Sequence, residues 1–79
     1  MLHEYSIVAK NLRLGNYLHY KGNTYRVMQV ALDHETLEEL VVYKALSGEN
    51  NWFVRPLKMF TETVEIDGVV KPRFLYVEE

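Results

Sequence analysis

An all-β fold is predicted for this chain, and three observations predict it. Short apolar stretches with period-two alternation follow one another from Tyr17 to Val77, Gly, Asn, Asp and Pro punctuate them, and no helical period continues past Leu14. At 79 residues the chain has room for one domain. Hydrophobic residues at 48% against 25% charged place it with globular sequences rather than disordered ones.

Leu2, Tyr5, Ala9 and Leu12 fall at helical spacing, so residues 1–14 read as an N-terminal arm containing a short helix, ended by Gly15-Asn16. Tyr17 to Tyr20 is a short strand, and Lys21-Gly22-Asn23 is a tight connection in which Gly22 supplies a positive φ. Thr24 to Leu32 is a long strand. Its inward set starts as Tyr25 and Val27 and then shifts to Met28, Val30 and Leu32, which predicts a β-bulge near Met28-Gln29 and a bend in the strand.

Asp33 to Glu39 is the most polar stretch. Thr36-Leu37-Glu38-Glu39 fits a capping box, yet β-branched and aromatic residues follow at once, so at most one helical turn is expected before a strand from Leu40 to Leu46. Ser47 to Asn51 is a hairpin loop and Trp52 to Arg55 the returning strand, which Pro56 ends because it cannot donate to a ladder. Pro56 to Phe60 reads as a 3₁₀ turn with Leu57 and Phe60 inward. Thr61 to Ile66 is a strand, Asp67-Gly68 a two-residue hairpin turn, Val69 to Lys71 the return, and Arg73 to Val77 the last strand. Five or six short strands, one bulge and one 3₁₀ turn together predict a small, partly open SH3-like barrel over residues 15–79.

Four blocks of this sequence carry a resemblance. They are the run from His19 through Tyr20-Lys21-Gly22-Asn23 to Val27, the run from His34-Glu35 to Tyr43, the run Trp52-Phe53-Val54-Arg55-Pro56-Leu57-Lys58-Met59-Phe60, and Pro72-Arg73-Phe74. In order and spacing, from about Gly15 to Tyr76, the chain resembles a short bacterial family known as domain of unknown function 1653. Phe53 departs from that family's plainer Trp-Val-Arg-Pro run, and the arm before Leu14 lies outside the blocks. The resemblance implies a compact β domain, and it implies no reaction.

Composition narrows the function. With no cysteine, disulfides and thiolate zinc sites are excluded, and a core worth about 3–5 kcal/mol at this size has no covalent staple. Six Tyr, three Phe and one Trp supply the large rings such a core needs. The lack of cysteine suits a reducing compartment, no leader pattern opens the chain, and no apolar run approaches the ~20 residues of a membrane span, so a cytoplasmic location without membrane insertion is expected. A formal charge of −2 gives no general attraction to nucleic acid or anionic lipid.

The chemistry-bearing candidates are few. His34-Glu35 has the composition of a general base beside an orienting carboxylate. No Ser, Cys or Lys stands beside the pair as a nucleophile, and adjacent residues on an extended chain point apart, which favours a turn held by Asp33 and Thr36. The histidines at positions 3, 19 and 34 share no metal-ligand spacing, so neither a metal nor a cofactor is expected. Arg55 and Arg73 each adjoin a proline at a strand end. Their planar donor forks suit carboxylate or phosphate, and the competing role is a structural pairing with Glu35, Glu62 or Glu65. Among the rings, Tyr17, Tyr20, Tyr43, Trp52 and Tyr76 are available for a groove, while Tyr25, Phe60 and Phe74 are assigned to the core.

The reading that results is a non-catalytic binding module. A groove of Tyr20, Tyr43 and Trp52 with Arg55 and Arg73 nearby would take a peptide or other anionic partner. The alternatives are a small-ligand protein or enzyme centred on His34, Glu35, Arg55 and Arg73, and a nucleic-acid module using Lys21, Arg26, Arg55, Lys58, Lys71 and Arg73 as a local basic face. The last is disfavoured by the overall charge. An exposed edge strand is also compatible with a homodimer.

Overall fold

The computed structural model describes residues 4–78. Among them the elements run α1 (Ile7–Asn11), β1 (Gly15–His19), β2 (Thr24–Leu32), β3 (Glu39–Ala45), β4 (Trp52–Pro56), α2 (Leu57–Phe60), β5 (Thr63–Ile66), β6 (Val69–Pro72) and β7 (Phe74–Glu78). Every pairing is antiparallel. Five strands form one sheet in the order β4-β3-β2-β1-β7, and β5 with β6 forms a separate hairpin. The larger sheet curls without closing, which leaves β4 and β7 as its two edges and gives a partly open SH3-like barrel. No helix among the described residues is long and apolar enough to cross a membrane.

The bend comes from the expected bulge in β2. Val27 pairs with Tyr43 and Gln29 with Val42, so Met28 is the extra residue. Inserting one residue restores the inward parity, and Val30 packs against the same core as Tyr25 and Val27. The core itself is Ala9, Tyr17, Val27, Val41, Tyr43, Leu57, Phe60 and Phe74. Phe60 is its central ring: it lies parallel to Phe74 at 4.1 Å between centroids and meets Tyr17 and Tyr43 edge-on at 5.4 and 5.5 Å. The Tyr17 hydroxyl donates to the Arg13 carbonyl at 2.7 Å, so the one polar atom of that buried side chain is paired.

Three expectations are corrected. The 57–60 turn is α-helical rather than 3₁₀, because the Thr61 amide and hydroxyl both donate to the Leu57 carbonyl, at 3.0 and 2.9 Å, closing an i→i−4 turn. This also starts β5 at Thr63 instead of Thr61. The barrel has seven strands rather than five or six, and the break before the last strand falls at Arg73 rather than at Pro72, which lies in β6 and pairs with Thr63. The Arg73 amide donates to the Glu62 carbonyl and its own carbonyl accepts from Tyr20, both at 3.0 Å, so it belongs to neither ladder.

The capping box at Thr36 forms no helix. The Asp33 Oδ1 accepts from the amides of Glu35 and Thr36, Thr36 Oγ1 accepts from Glu38, and Leu37 turns left-handed at φ 62°. Residues 33–38 are therefore a polar turn. Glu39 instead reaches the N-terminal arm. Its two carboxylate oxygens accept from the amide and hydroxyl of Ser6, each at 2.7 Å, and Ser6 is the N-cap of α1. The arm helix lies at Ile7–Asn11 and sends Ala9 and Leu12 to the core, while the position of Leu2 in that pattern is outside the described residues. At the far hairpin, Asp67 and Gly68 have φ of 51° and 79°, as a type I′ turn requires.

Candidate functional site

Cationic side chains collect against a wall of rings where β4 faces β7. Strand parity selects them. On β4, Phe53 and Arg55 share one face while Trp52 and Val54 take the other. Phe53 lies opposite Tyr43 of β3, with the two rings 5.8 Å apart, so the Phe53–Arg55 face is the inward one. Arg55 Nε donates to the Tyr43 hydroxyl at 3.2 Å. Its guanidinium carbon stands 5.8 Å from the centroid of Phe74, which carries the charge across the open seam to β7. From β1, His19 sits opposite Phe74 with ring centroids 4.8 Å apart. Tyr20 packs on His19 at 4.5 Å, and Tyr25 meets the edges of Tyr43 and Phe74 at 5.4 and 5.8 Å.

Arg73 approaches from the junction of β6 and β7. Its backbone is clamped at both ends as described above, and one guanidinium nitrogen lies 3.5 Å from the Glu62 carboxylate. Nε of the same side chain is buried and has no hydrogen-bond partner among the described residues. That leaves one buried N–H of the guanidinium unpaired beside an ion-paired one.

His19 reports the local charge. Burial first, then the positive charges of Arg55, Arg73 and Lys21, hold its pKa below the ordinary imidazole value of 6.5. Nδ1 accepts from the Lys21 amide at 3.1 Å, so the proton of the neutral ring is on Nε2. The cluster thus presents guanidinium, ammonium and imidazole donors, with Glu62 as the one carboxylate ion-paired to it among the described residues. Such an arrangement can hold a carboxylate or phosphate oxygen, with rings beneath to take an apolar or aromatic carrier. Among the described residues no His, Asp and Glu side chains group as metal ligands.

A pH dependence follows. The unfolded histidine binds a proton near pH 6.5 while the folded ring resists it, so the unfolded state holds more protons just below that pH. The stability this neutral ring represents is complete above pH 6.5 and is lost as pH falls through the lower folded pKa. Urea unfolding followed from neutral pH to about pH 5 should show that decline in the wild type and a flatter profile in His19→Gln. Equal slopes for the two proteins would mean that His19 is not shielded. Asp33 contributes separately at lower pH, since the Thr36 and Glu35 amides hold its carboxyl below 3.8.

The seven residues expected to form a site divide into two groups. Tyr20, Arg55 and Arg73 gather around His19 and Phe74, whereas Tyr43, expected in the groove, is a buried core ring that reaches this group only through its hydroxyl, which accepts from Arg55. His34, Glu35 and Trp52 stand apart. His34 and Glu35 belong to the exposed turn beyond the end of β2, whereas His19 lies just before its start, and nine strand residues separate the two ends by roughly 25 Å. Among the described residues neither side chain makes a hydrogen bond or an ion pair with Arg55 or Arg73, whose side-chain partners are Tyr43 and Glu62. Trp52 is 58% exposed, as a ring after a polar loop should be, but it lies on the outer face with Lys44 Nζ 5.7 Å from its ring. Phe53 occupies the inward place.

His19, Phe53, Tyr25 and Phe74 are the members that residue-type reasoning misses. Parity alone finds Phe53, since it is two residues from Arg55 on one strand. The basic residues do not form one stripe either. Arg26 bonds Asn16 at 3.3 Å on the outer face, and Lys58 lines a depression of about 570 Å³ between α1, the 33–38 turn and α2. That depression carries Glu4, Glu38 and Glu39 and does not include the arginine cluster.

Comparisons with known proteins agree with this architecture. No curated protein matches the chain. Among solved structures it is similar to a DUF1653 protein of Bordetella bronchiseptica, at 37% identity and a TM-score of 0.81, covering 87% of this chain and 91% of that one. The family model described as protein of unknown function (DUF1653) matches residues 15–76, the span that carries β1 to β7 apart from the last residues of β7. On that match and that structural likeness, the chain belongs to the DUF1653 family.

Proposed function

We propose that the protein is a non-catalytic binding module that takes an anionic group at the Arg55–Arg73–His19 cluster. The observation that carries this reading is geometric: the Arg55 guanidinium and the His19 ring both stand against Phe74, and Arg73 is fixed beside them by the bond from the Tyr20 amide to its carbonyl, in a chain whose formal charge is −2. Among the described residues Arg73 is paired with Glu62, whereas Arg55 bonds the neutral Tyr43 hydroxyl and no carboxylate. An incoming carboxylate or phosphate relieves that excess charge and meets donors already held in place.

The test is titration with pyrophosphate and with glutarate, read by NMR shifts of the His19 ring and the arginine side chains. Arg55→Gln and Arg73→Gln should each weaken binding about tenfold or more, since hydrogen bonds to charged groups contribute about 1.5–3 kcal/mol. Trp52→Ala should leave the affinity unchanged, because its ring is on the other face. Equal affinity in the wild type and both arginine variants would remove the site.

A further inference from the structure

The free edge of β4 runs beside the arginine cluster, and its hydrogen-bonding groups can be assigned. The Ala45 amide donates to the Asn51 carbonyl at 2.9 Å, and the Leu46 amide donates to the Thr24 carbonyl at 3.1 Å. In an antiparallel ladder bonded residues alternate, so Phe53 and Arg55 bond back to Tyr43 and Val41 of β3. Trp52 and Val54 then turn their N–H and C=O groups outward, where β4 has no neighbouring strand among the described residues. Pro56 has no N–H and closes the row.

This edge is guarded at one end by Pro56 and open before it. It is continuous over Trp52–Pro56, contains no bulge, and exposes Val54 to 62%. An extended segment pairing with Trp52 and Val54 would lie alongside Phe53 and Arg55. Alternate side chains of the segment would then lie on the same face as Arg55, whose guanidinium stands over Phe74 at the seam where Arg73 also enters. The charge of that face selects the occupant: it favours a segment with carboxylates at alternate positions and repels a basic one.

We propose that β4 accepts an extended acidic peptide segment as an added strand, with its backbone on Trp52 and Val54 and its carboxylates on Arg55 and Arg73. The proposal rests on the anion-binding reading above and adds the chemical class of the partner and its backbone geometry. A second copy of this chain is the competing occupant, and the test separates the two.

The probe is a synthetic peptide of about eight alternating valine and glutamate residues. Its companions are the same peptide N-methylated on either alternate set of backbone amides, and a version with glutamine for glutamate. The acidic peptide is expected to bind, with shifts at the Trp52 and Val54 amides. One of the two N-methylated sets and the glutamine version should each bind about tenfold more weakly or worse. If both N-methylated sets bind as tightly as the parent, strand addition is wrong and the anion site stands. If pyrophosphate and glutarate bind but the acidic peptide does not, strand addition again fails alone. If no anionic probe binds, both readings fall. A dimer in free solution with the Trp52 and Val54 amides protected from exchange would assign the edge to a second copy and overturn the peptide proposal.

Discussion

Phe60→Ala should leave the chain largely unfolded at 25 °C. The ring is 2% exposed, parallel to Phe74 at 4.1 Å, and in edge contact with Tyr17 and Tyr43. It therefore joins α2 to residues of β1, β3 and β7, and no smaller side chain at that position reaches all of them. Truncating a buried Phe costs about 3–5 kcal/mol, which is the whole stability expected of a core this small with no disulfide. Phe60→Leu keeps most of the volume and should fold, with a loss of about 1–2 kcal/mol. Phe53→Ala is the contrast: that ring is 43% exposed, so stability should change by less than about 1 kcal/mol. Urea unfolding followed by far-ultraviolet circular dichroism separates the three. A Phe60→Ala protein that unfolds cooperatively within about 1 kcal/mol of wild type would show that the ring is not central to the core.

Much of this architecture is legible in the sequence because local chemistry sets it. The change of inward parity between Val27 and Val30 has few solutions other than a bulge at Met28, and Asp67-Gly68 offers the two left-handed residues of a I′ turn. The 57–60 turn is placed correctly by Pro56 and the inward spacing of Leu57 and Phe60. Its α rather than 3₁₀ form depends on which carbonyl the Thr61 amide reaches, here that of Leu57, and spacing does not state it. The site is legible in part. Arg55 and Arg73 stand out by type and by position at strand ends. Ring size favours Trp52 over Phe53, yet parity decides the opposite: Trp52 is three residues from Arg55 and so on the other face, Phe53 two and so beside it. His19 is invisible as a member because its partners come from the other end of the chain. Only the pairing of β1 with β7 sets it against Phe74, and only the curl of the sheet brings Arg55 over that ring.

Glu39 is the other residue whose role no local pattern reveals, and its removal should produce the second-largest loss. α1 has five residues, too few to persist on helix propensity. The Ser6 hydroxyl accepts from the Ala9 amide at 3.1 Å, while the Ser6 amide and hydroxyl donate to the two oxygens of Glu39. A capping box normally draws its carboxylate from three residues into the same helix; here that position is Ala9, and β3 supplies the acid instead. Glu39→Ala should therefore cost about 1–2 kcal/mol, discounted from the value for charged hydrogen bonds because the pair is exposed to solvent. The loss should be concentrated in α1: exchange of the Lys10 amide, which donates to the Ser6 carbonyl at 3.0 Å, should accelerate by about tenfold beyond the change seen at Val41. Glu39→Gln retains one acceptor oxygen and should recover part of the difference. If Lys10 and Val41 accelerate equally, Glu39 supports the sheet as a whole and the arm is held by Ala9 and Leu12 alone.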